Sequence, residues 1–578
     1  MIFPNKPIRF FSILFILLVL FLNCAVNVSP VSAATIVVDT PEDQNNTDIT
    51  HCSLREALYA AIFDTAYGGC SAGSDADIIT LPAGVYTVDS RLTSVTNGVT
   101  INGAGAETTI IQPSGCNPVE ETCANDYQLV RVSANGTLNL NNLTLRYWKN
   151  TTDGNNGGAI LNEETLNISD CVFYANRAER GSALYNFYTG TMTVTNSTFL
   201  SNLAHDTSAY TDGGAIFNDD GTAYIEKSTF SDNHANFGGA IYNYGSEVTI
   251  INSTFSGNSA ETSGGGLVNV GTATITNSTF FGNAAAIGAG IYNGHTYILN
   301  LTNTIIANSV TGDDCSNISG TIATNVNNLI EDNTCSPAFS GDPSLGGLAY
   351  NGGSTQTHAL QQGSIAIDSG NLAACPATDQ RGVTRPKGSG CDIGAFEFYP
   401  AVADIAGTPT SGIAPLEVNF TNNSMGEFDT CLWDFGDTTT SNECDPTPHT
   451  YTAAGLYTVS LTVSGLGGTD TKIRDDFITV HGPAVADFTG TPTSGAVPLE
   501  VDFTNNSTGE FDTCLWDFGD TTTSSDCNPS PHMYTDIGVY TVSLTVSGLG
   551  GSDTKIREDY IHVEEPKALD SFLPLVVK

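Results

Sequence analysis

Gly213-Gly214-Ala215-Ile216-Phe217-Asn218 and Ser228-Thr229-Phe230-Ser231-Asp232-Asn233 are followed by Gly238-Gly239-Ala240-Ile241-Tyr242-Asn243 and Ser253-Thr254-Phe255-Ser256-Gly257-Asn258. Two motifs, Gly-Gly-Ala-Ile-x-Asn and Ser-Thr-Phe-x-x-Asn, alternate from about 157 to 308. The first recurs at 157–162 and, with variation, at 181–186, 264–269 and 288–293. The second recurs at 197–202 and 278–283, with variants ending at Asn150, Asn176 and Asn308. Its apolar member falls at Phe173, Phe199, Phe230, Phe255, Phe280 and Ile305, at intervals of 26, 31, 25, 25 and 25 residues. A repeat of this length, built from short alternating apolar runs, is one turn of a parallel β-helix. Alternation puts Ile160, Ile216 and Ile241 inside and in register, and Phe199, Phe230, Phe255 and Phe280 in a second internal stack. Asn tolerates the left-handed geometry of a tight turn, and Asn202, Asn233, Asn258 and Asn283 are expected to form an amide ladder. The Asn-x-Ser/Thr triplets inside the motifs, such as 196–198 and 252–254, read as turn chemistry rather than glycosylation. Coils extend back to 78–88, 99–111 and 138–145 and end near Ile330. The expected fold is all-β, with a right-handed parallel β-helix of the pectate-lyase type over 76–340.

A solenoid must cover its open ends. Ser53-Leu54-Arg55-Glu56 is a capping box, and Leu54, Ala57, Leu58 and Ala61 follow at helical spacing, so 34–75 is read as an N-terminal cap containing a short helix. Cys52-Ser53-Leu54-Arg55-Glu56-Ala57 resembles the CSLREA segment that precedes exported bacterial right-handed β-helix proteins, and 77–86 is similar to their usual first coil. That resemblance implies a fold and carries no activity. Residues 342–398 resemble the segment that often follows such helices, through Gly352-Gly353-Ser354-Thr355-Gln356-Thr357, Ala366-Ile367-Asp368-Ser369-Gly370, Asp379-Gln380-Arg381-Gly382 and Asp392-Ile393-Gly394-Ala395-Phe396-Glu397. Residues 341–399 are therefore expected to cap the solenoid's other end, with Arg381 in a structural ion pair to Asp392 or Glu397.

Residues 403–480 repeat at 486–563 with a constant offset of 83 residues. Short alternating runs, turn signals and a Trp in a strand suggest an immunoglobulin-like sandwich in each repeat. Trp433-Asp434-Phe435-Gly436-Asp437 with His449-Thr450-Tyr451, and their counterparts Trp516-Asp517-Phe518-Gly519-Asp520 and His532-Met533-Tyr534, resemble the PKD family. The family's usual Gly after the second Asp is Thr438 or Thr521 here, which puts the local turn in question. The resemblance implies two PKD sandwiches, at 401–482 and 484–565, of a kind that serves as extracellular spacers and in some cases binds polysaccharide or protein. His449 and Asp434 are read as structural, and the tail at 566–578 has no assignment.

The chain carries 61 acidic and 19 basic residues, a net charge of -42. That balance excludes nucleic acid and anionic membrane surfaces as partners, since both need a basic footprint. Lys6 and Arg9, the apolar run 10–22 and Val31-Ser32-Ala33 read as a secretory signal peptide over 1–33, with a lipoprotein at Cys24 as the alternative. No later stretch is long and apolar enough to span a membrane. A secreted or cell-surface monomer is expected. Export makes disulfides plausible, and neighbour pairing gives Cys52–Cys70, Cys116–Cys123, Cys315–Cys335, Cys375–Cys391, Cys431–Cys444 and Cys514–Cys527. Cys171 is left over as a small buried hydrophobe. No cysteine spacing matches a zinc site, and the metal content is left unassigned.

Two functions follow. The first is a non-catalytic surface protein whose rigid face binds glycan or protein, with the PKD pair as spacers. The second is a pectate-lyase-like polysaccharide lyase or a glycoside hydrolase. A hydrolase needs carboxylates on adjacent coils, yet Glu163 and Asp219 are two coils apart with Phe187 between, about 10 Å at strand spacing. The candidate binding residues lie between the Asn ladder and the next Gly-Gly, where one loop per coil is expected along a single edge. They are Asp153, Arg177, Arg180, His205, Asp206, Tyr210, Asp212 and His234, a set suited to an acidic sugar. No cofactor is expected, and calcium is the one ion left open.

Overall fold

The computed structural model describes residues 33–567, apart from 75, 118–121, 124–125, 152–155 and 205–210. The expected signal peptide, save its last residue, and the tail from 568 onward lie outside the described residues. The chain divides into two compact units between Phe398 and Tyr399.

The first unit is a parallel β-solenoid of about nine turns. A representative coil lays down Ile160–Asn162, Thr165–Ser169 and Val172–Tyr174, which pair in parallel with Leu184–Phe187, Thr191–Thr195 and Thr198–Leu200 of the next. The first two strands of every coil build a 17-stranded sheet and the third builds a 10-stranded sheet. The inward positions stack as the alternation requires. Ile160, Leu184, Ile216, Ile241, Leu267 and Ile291 form one buried column. Phe173, Phe199, Phe230, Phe255 and Phe280 form another, with successive centroids 4.8, 4.7, 4.7 and 4.3 Å apart and planes within 3° of parallel.

Polar ladders hold the corners. In the anticipated one, the Nδ2 of Asn176, Asn202, Asn233 and Asn258 donates to Oδ1 of Asn202, Asn233, Asn258 and Asn283 at 2.9, 2.9, 2.8 and 3.0 Å. Asn233 Nδ2 also donates to the carbonyl of Phe199, so both of its N–H groups are used. A second amide ladder, not anticipated, runs through Asn162, Asn186, Asn218, Asn243, Asn269, Asn293 and Asn317. At the third corner the backbone N–H groups of Ser197, Ser228 and Ser253 each donate to the hydroxyl of the serine one coil on, at 3.2 Å. Cys171 occupies the serine position at the start of that ladder, its N–H donating to Ser197 Oγ. Burial pushes its thiol up to about 12, as befits a structural cysteine. The Gly-Gly pair is required by the turn: Gly213 has a φ of 66°, and a Cβ on Gly214 would stand 1.9 Å from the Gly239 carbonyl oxygen.

The N-terminal end is closed by helix α1 (Leu54–Phe63), with both arms of the capping box formed between Ser53 and Glu56 and with Leu54, Ala57, Leu58 and Ala61 buried. A strand not anticipated, Thr35–Val37, precedes the helix and pairs in parallel with Ala76–Leu81. The reading of 341–399 as an end cap is corrected. These residues run along the flank of the 10-stranded sheet and reach five successive coils. Gln380 Nε2 donates to Thr229 Oγ1 and Gln380 Oε1 accepts from Thr254 Oγ1. Asn277, Asn303 and Asn327 donate to the carbonyls of Asp392, Asn371 and Ser369. The flank needs this cover because its outward column Thr229, Thr254, Thr279, Ile305 and Leu329 becomes apolar toward the end. The last coil is crossed instead by the chain around Cys335, which is bonded to Cys315 and whose carbonyl accepts from Asn325. Arg381 pairs with Asp379 at 2.8 Å rather than with Asp392 or the Glu397 carboxylate, which Arg385 holds at 2.8 Å. Both pairs are fully buried and structural.

The second unit holds two β-sandwiches. In the first, the sheet Ile405–Thr408, Leu416–Asn422 and His449–Tyr451 faces the sheet Ser411–Ile413, Gly468–His481, Gly455–Gly465, Thr430–Asp434 and Thr440–Ser441. Trp433, Phe435, Tyr451, Val459 and Leu461 fill the space between them. The second repeats this around Trp516. Thr438 and Thr521 take φ of 77° and 75°, the left-handed conformation that Gly adopts without penalty. His449 Nε2 donates to Asp437 Oδ2 at 2.8 Å, and its ring stacks on Phe435. All six expected disulfides are formed.

Candidate functional site

The positions expected to form one loop per coil pair instead into a narrow third sheet: Lys149–Asn150, Arg177–Ala178, Leu203–Ala204, His234–Phe237 and Ser259–Ser263. Its register is Lys149, Arg177, Leu203, His234 and Ser259. Arg177 and His234 thus stand two coils apart with Leu203 between them. Arg177 is exposed, and His234 Nδ1 lies 2.8 Å from Ser259 Oγ. Arg180 and Asp212 occupy adjacent rungs, with Arg180 Nε 3.4 Å from Asp212 Oδ2. Asp153, His205, Asp206 and Tyr210 lie outside the described residues.

Arg180 and Asp212 border a feature that sequence reasoning missed, although its signal was present at the x position of Gly-Gly-Ala-Ile-x-Asn. That side chain faces outward, and the column reads Leu161, Tyr185, Phe217, Tyr242, Val268 and Tyr292. The Tyr185 and Phe217 rings lie 5.2 Å apart at 5°, and Phe217 and Tyr242 lie 5.2 Å apart at 19°. Two residues further along the strands, a parallel row places Asp219 between Phe187 and Tyr244. Tyr185 and Phe217 are largely covered, whereas Phe187, Tyr188 and Tyr244 keep 38%, 65% and 47% of their surface exposed, so the patch offers free ring surface. The guanidinium of Arg180 sits over the Phe217 ring, 5.7 Å from its centroid, a cation–π placement.

Electrostatics tie the polar members together. Tyr185 Oη donates to Asp219 Oδ2, and burial together with this bond pushes the Tyr185 hydroxyl well above its ordinary value. Burial pushes the Asp212 carboxyl up to about 6, against the opposing charge of Arg180 and with further upward pressure from Glu179 and Asp219. Glu163, one coil before Phe187, is held by Arg131, whose Nε donates at 2.9 Å. The two acids on this face are therefore separated as expected, and both have partners. Among the described residues, no group of three or more His, Cys, Asp and Glu side chains is placed to hold a metal ion, and no helix is long and apolar enough to cross a membrane.

Residues 400–480 and 482–563 match the family model of the PKD domain, and residues 227–244 match that of the Chlamydia polymorphic membrane protein repeat. The two C-terminal sandwiches are PKD domains. Over 85 residues, 14% of this chain, the sequence is 36% identical to Collagenase ColA of Bacillus cereus, of which the match covers 9%. Among solved structures, the chain is similar to a PL6 family alginate lyase at 16% identity and a TM-score of 0.32, over 50% of this chain and 39% of that one. It is also similar to an I-band fragment of titin at 14% identity and a TM-score of 0.21, over 29% of this chain and 66% of that one.

Proposed function

We propose that this is a non-catalytic, secreted or cell-surface protein whose solenoid binds carbohydrate and whose PKD domains act as spacers. The observation that carries this reading is the exposed aromatic face of Phe187, Tyr188 and Tyr244 over the ordered column Tyr185, Phe217 and Tyr242. Rings held at fixed spacing on a rigid scaffold provide large contact area at low entropic cost, and the C–H faces of sugar rings are suited to stack on them. Asp219, held by the Tyr185 hydroxyl, stands beside the rings to meet sugar hydroxyls. Six disulfides fit an oxidising compartment. Arg180 is engaged by Asp212 and Phe217, so recognition rests on the rings more than on cations. The test is binding to a panel of soluble polysaccharides. Phe187→Ala with Tyr244→Ala is expected to weaken binding at least tenfold, and unchanged binding overturns the reading. Arg177→Ala with Arg180→Ala reports on acidic glycans: a loss confined to polyuronates assigns those arginines to an acidic sugar.

One observation favours a second reading, a polysaccharide lyase or glycoside hydrolase. The Asp212 carboxyl, raised to about 6 beside Arg180, has the proton affinity of a general acid. Release of reducing ends or unsaturated products by the wild type, abolished in Asp212→Asn, establishes it.

A further inference from the structure

A neighbouring face of the solenoid, on the earlier coils, has a different chemistry. The strands Gly98–Gly103, Thr137–Asn141, Thr165–Ser169 and Thr191–Thr195 stack in parallel. Their outward columns are Thr100, Asn139, Asn167 and Thr193, and beside them Asn102, Asn141, Ser169 and Thr195. None of these four strands contains an ionisable or aromatic side chain, in a chain with 61 acidic residues. The charge-free zone ends on the next two coils, at Glu226 and Glu247.

The polar groups of this face are aligned in advance. Asn139 Nδ2 donates to Thr100 Oγ1 at 3.0 Å, Asn167 Nδ2 to Asn139 Oδ1 at 2.9 Å, and Asn141 Nδ2 to Asn102 Oδ1 at 2.9 Å. An amide has two N–H donors and two oxygen lone pairs, so each rung retains donor and acceptor capacity after the ladder is made. Thr100, Asn139, Asn141, Asn167, Ser169 and Thr193 line an open concavity of about 380 Å³. Apart from Ile168, the lining residues are polar and uncharged, and they offer no counter-charge to a carboxylate or sulfate group. They offer a grid of hydroxyls and amides repeating at about 4.8 Å between coils and about 6.7 Å along a strand, over which a polymer of hydroxyl-bearing units meets equivalent partners at each step.

We propose that this Thr/Asn face is a second binding site, specific for an uncharged polysaccharide laid across the coils from Thr100 to Thr195. Retention of the full-length protein on cellulose, starch, β-1,3-glucan and mannan tests it, with polygalacturonate as the charged control. Asn139→Asp with Thr193→Asp places two charges on the outer surface and leaves the core columns untouched. Thr193→Val keeps shape and removes a hydroxyl, so the face is still probed if the charged pair fails to fold. Wild type is expected to be retained by at least one neutral polymer, the charged pair at least tenfold less, and Thr193→Val in between. Phe187→Ala with Tyr244→Ala is expected to leave this retention intact, which separates the face from the aromatic site. Retention by no neutral polymer, equal retention of wild type and Thr193 variants, or loss only in the aromatic variant overturns the proposal.

Discussion

The solenoid and the sandwiches both repeat, but only the solenoid can stack one buried polar side chain on its own kind. In the solenoid each coil borrows its core from its neighbours, and a polar side chain can sit inside because the same side chain lies one rung above and below. Asn233 shows this: its amide is saturated by Asn202, Asn258 and the Phe199 carbonyl. In the sandwiches each 83-residue repeat closes its own core, and no partner of the same kind is within reach. There the indole Nε1 of Trp433 and of Trp516 is buried without a hydrogen-bond partner, and His449 finds Asp437 only at the margin. Translation along the amide ladders thus satisfies their buried polar groups by symmetry, although Ser182 Oγ and Asn252 Oδ1 on the coils are buried without a partner, whereas a closed sandwich accepts an orphan atom in return for a large packed ring.

The sharpest test of that contrast is Phe230→Ala. Its ring is stacked at 4.7 Å on both sides, so truncation is expected to cost about 3–5 kcal/mol in the solenoid's unfolding. The unfolding of the sandwiches should be unmoved, and a shared shift in calorimetry would show that the two units unfold together. Next in size, replacing both Cys431 and Cys444 by Ala should destabilise the first sandwich by about 3 kcal/mol. The second sandwich keeps its own Cys514–Cys527 bond and should hold its transition. Asn233→Ala should cost about 1–3 kcal/mol, the penalty for leaving a neighbouring amide unpaired in a buried site. If Asn233→Leu proves neutral in denaturant unfolding, the ladders contribute register rather than stability.

The internal columns were legible because period and alternation are local: Phe199 to Phe280 and Asn202 to Asn283 recur at nearly constant spacing, and register follows from spacing alone. The second amide ladder and the aromatic face obeyed the same rule. Asn186 and Tyr185 occupy fixed places in the Gly-Gly motif, but variation at x, from Leu161 to Val268, hid the rings between them. Two features had no local signature. Three of the five strands in the short sheet through Arg177 and Leu203 have only two residues, too few to show alternation, so it read as loops. The flank segment docks through single polar contacts such as Gln380 to Thr229, 151 residues apart in sequence, and nothing near either residue announces the other.

Acid should also separate the two regions. In the solenoid unit, burial pushes Asp212 up to about 6, and burial with the neighbouring Glu397 pushes Asp392 up to about 7. An unfolded Asp titrates near 3.9. A carboxyl raised by folding disfavours the folded state when ionised, so its cost is present above the folded value and is relieved as pH falls toward about 4. His358, which burial shifts down, acts in the opposite sense below its unfolded value. In the sandwiches, burial pushes Asp437 and Asp520 up, but hydrogen bonds from Thr439 and His449, and from Thr522 and His532, outweigh it and hold both below the ordinary range. Their contribution is present above about pH 3.9 and is lost as pH falls through the lowered values. Asp48 and Asp126 of the solenoid unit are also lowered and act only in that same acid range. Between pH 8 and 5 the sandwiches should therefore hold steady, while Asp212 adds stability to the solenoid by at most about 1.4 kcal/mol. Subtracting the thermal unfolding profile of Asp212→Asn from that of wild type isolates this term from His358 and Asp392. A difference that is flat across pH 5 to 8 would mean that Arg180 neutralises Asp212 fully, and the rung would then be an ordinary surface ion pair.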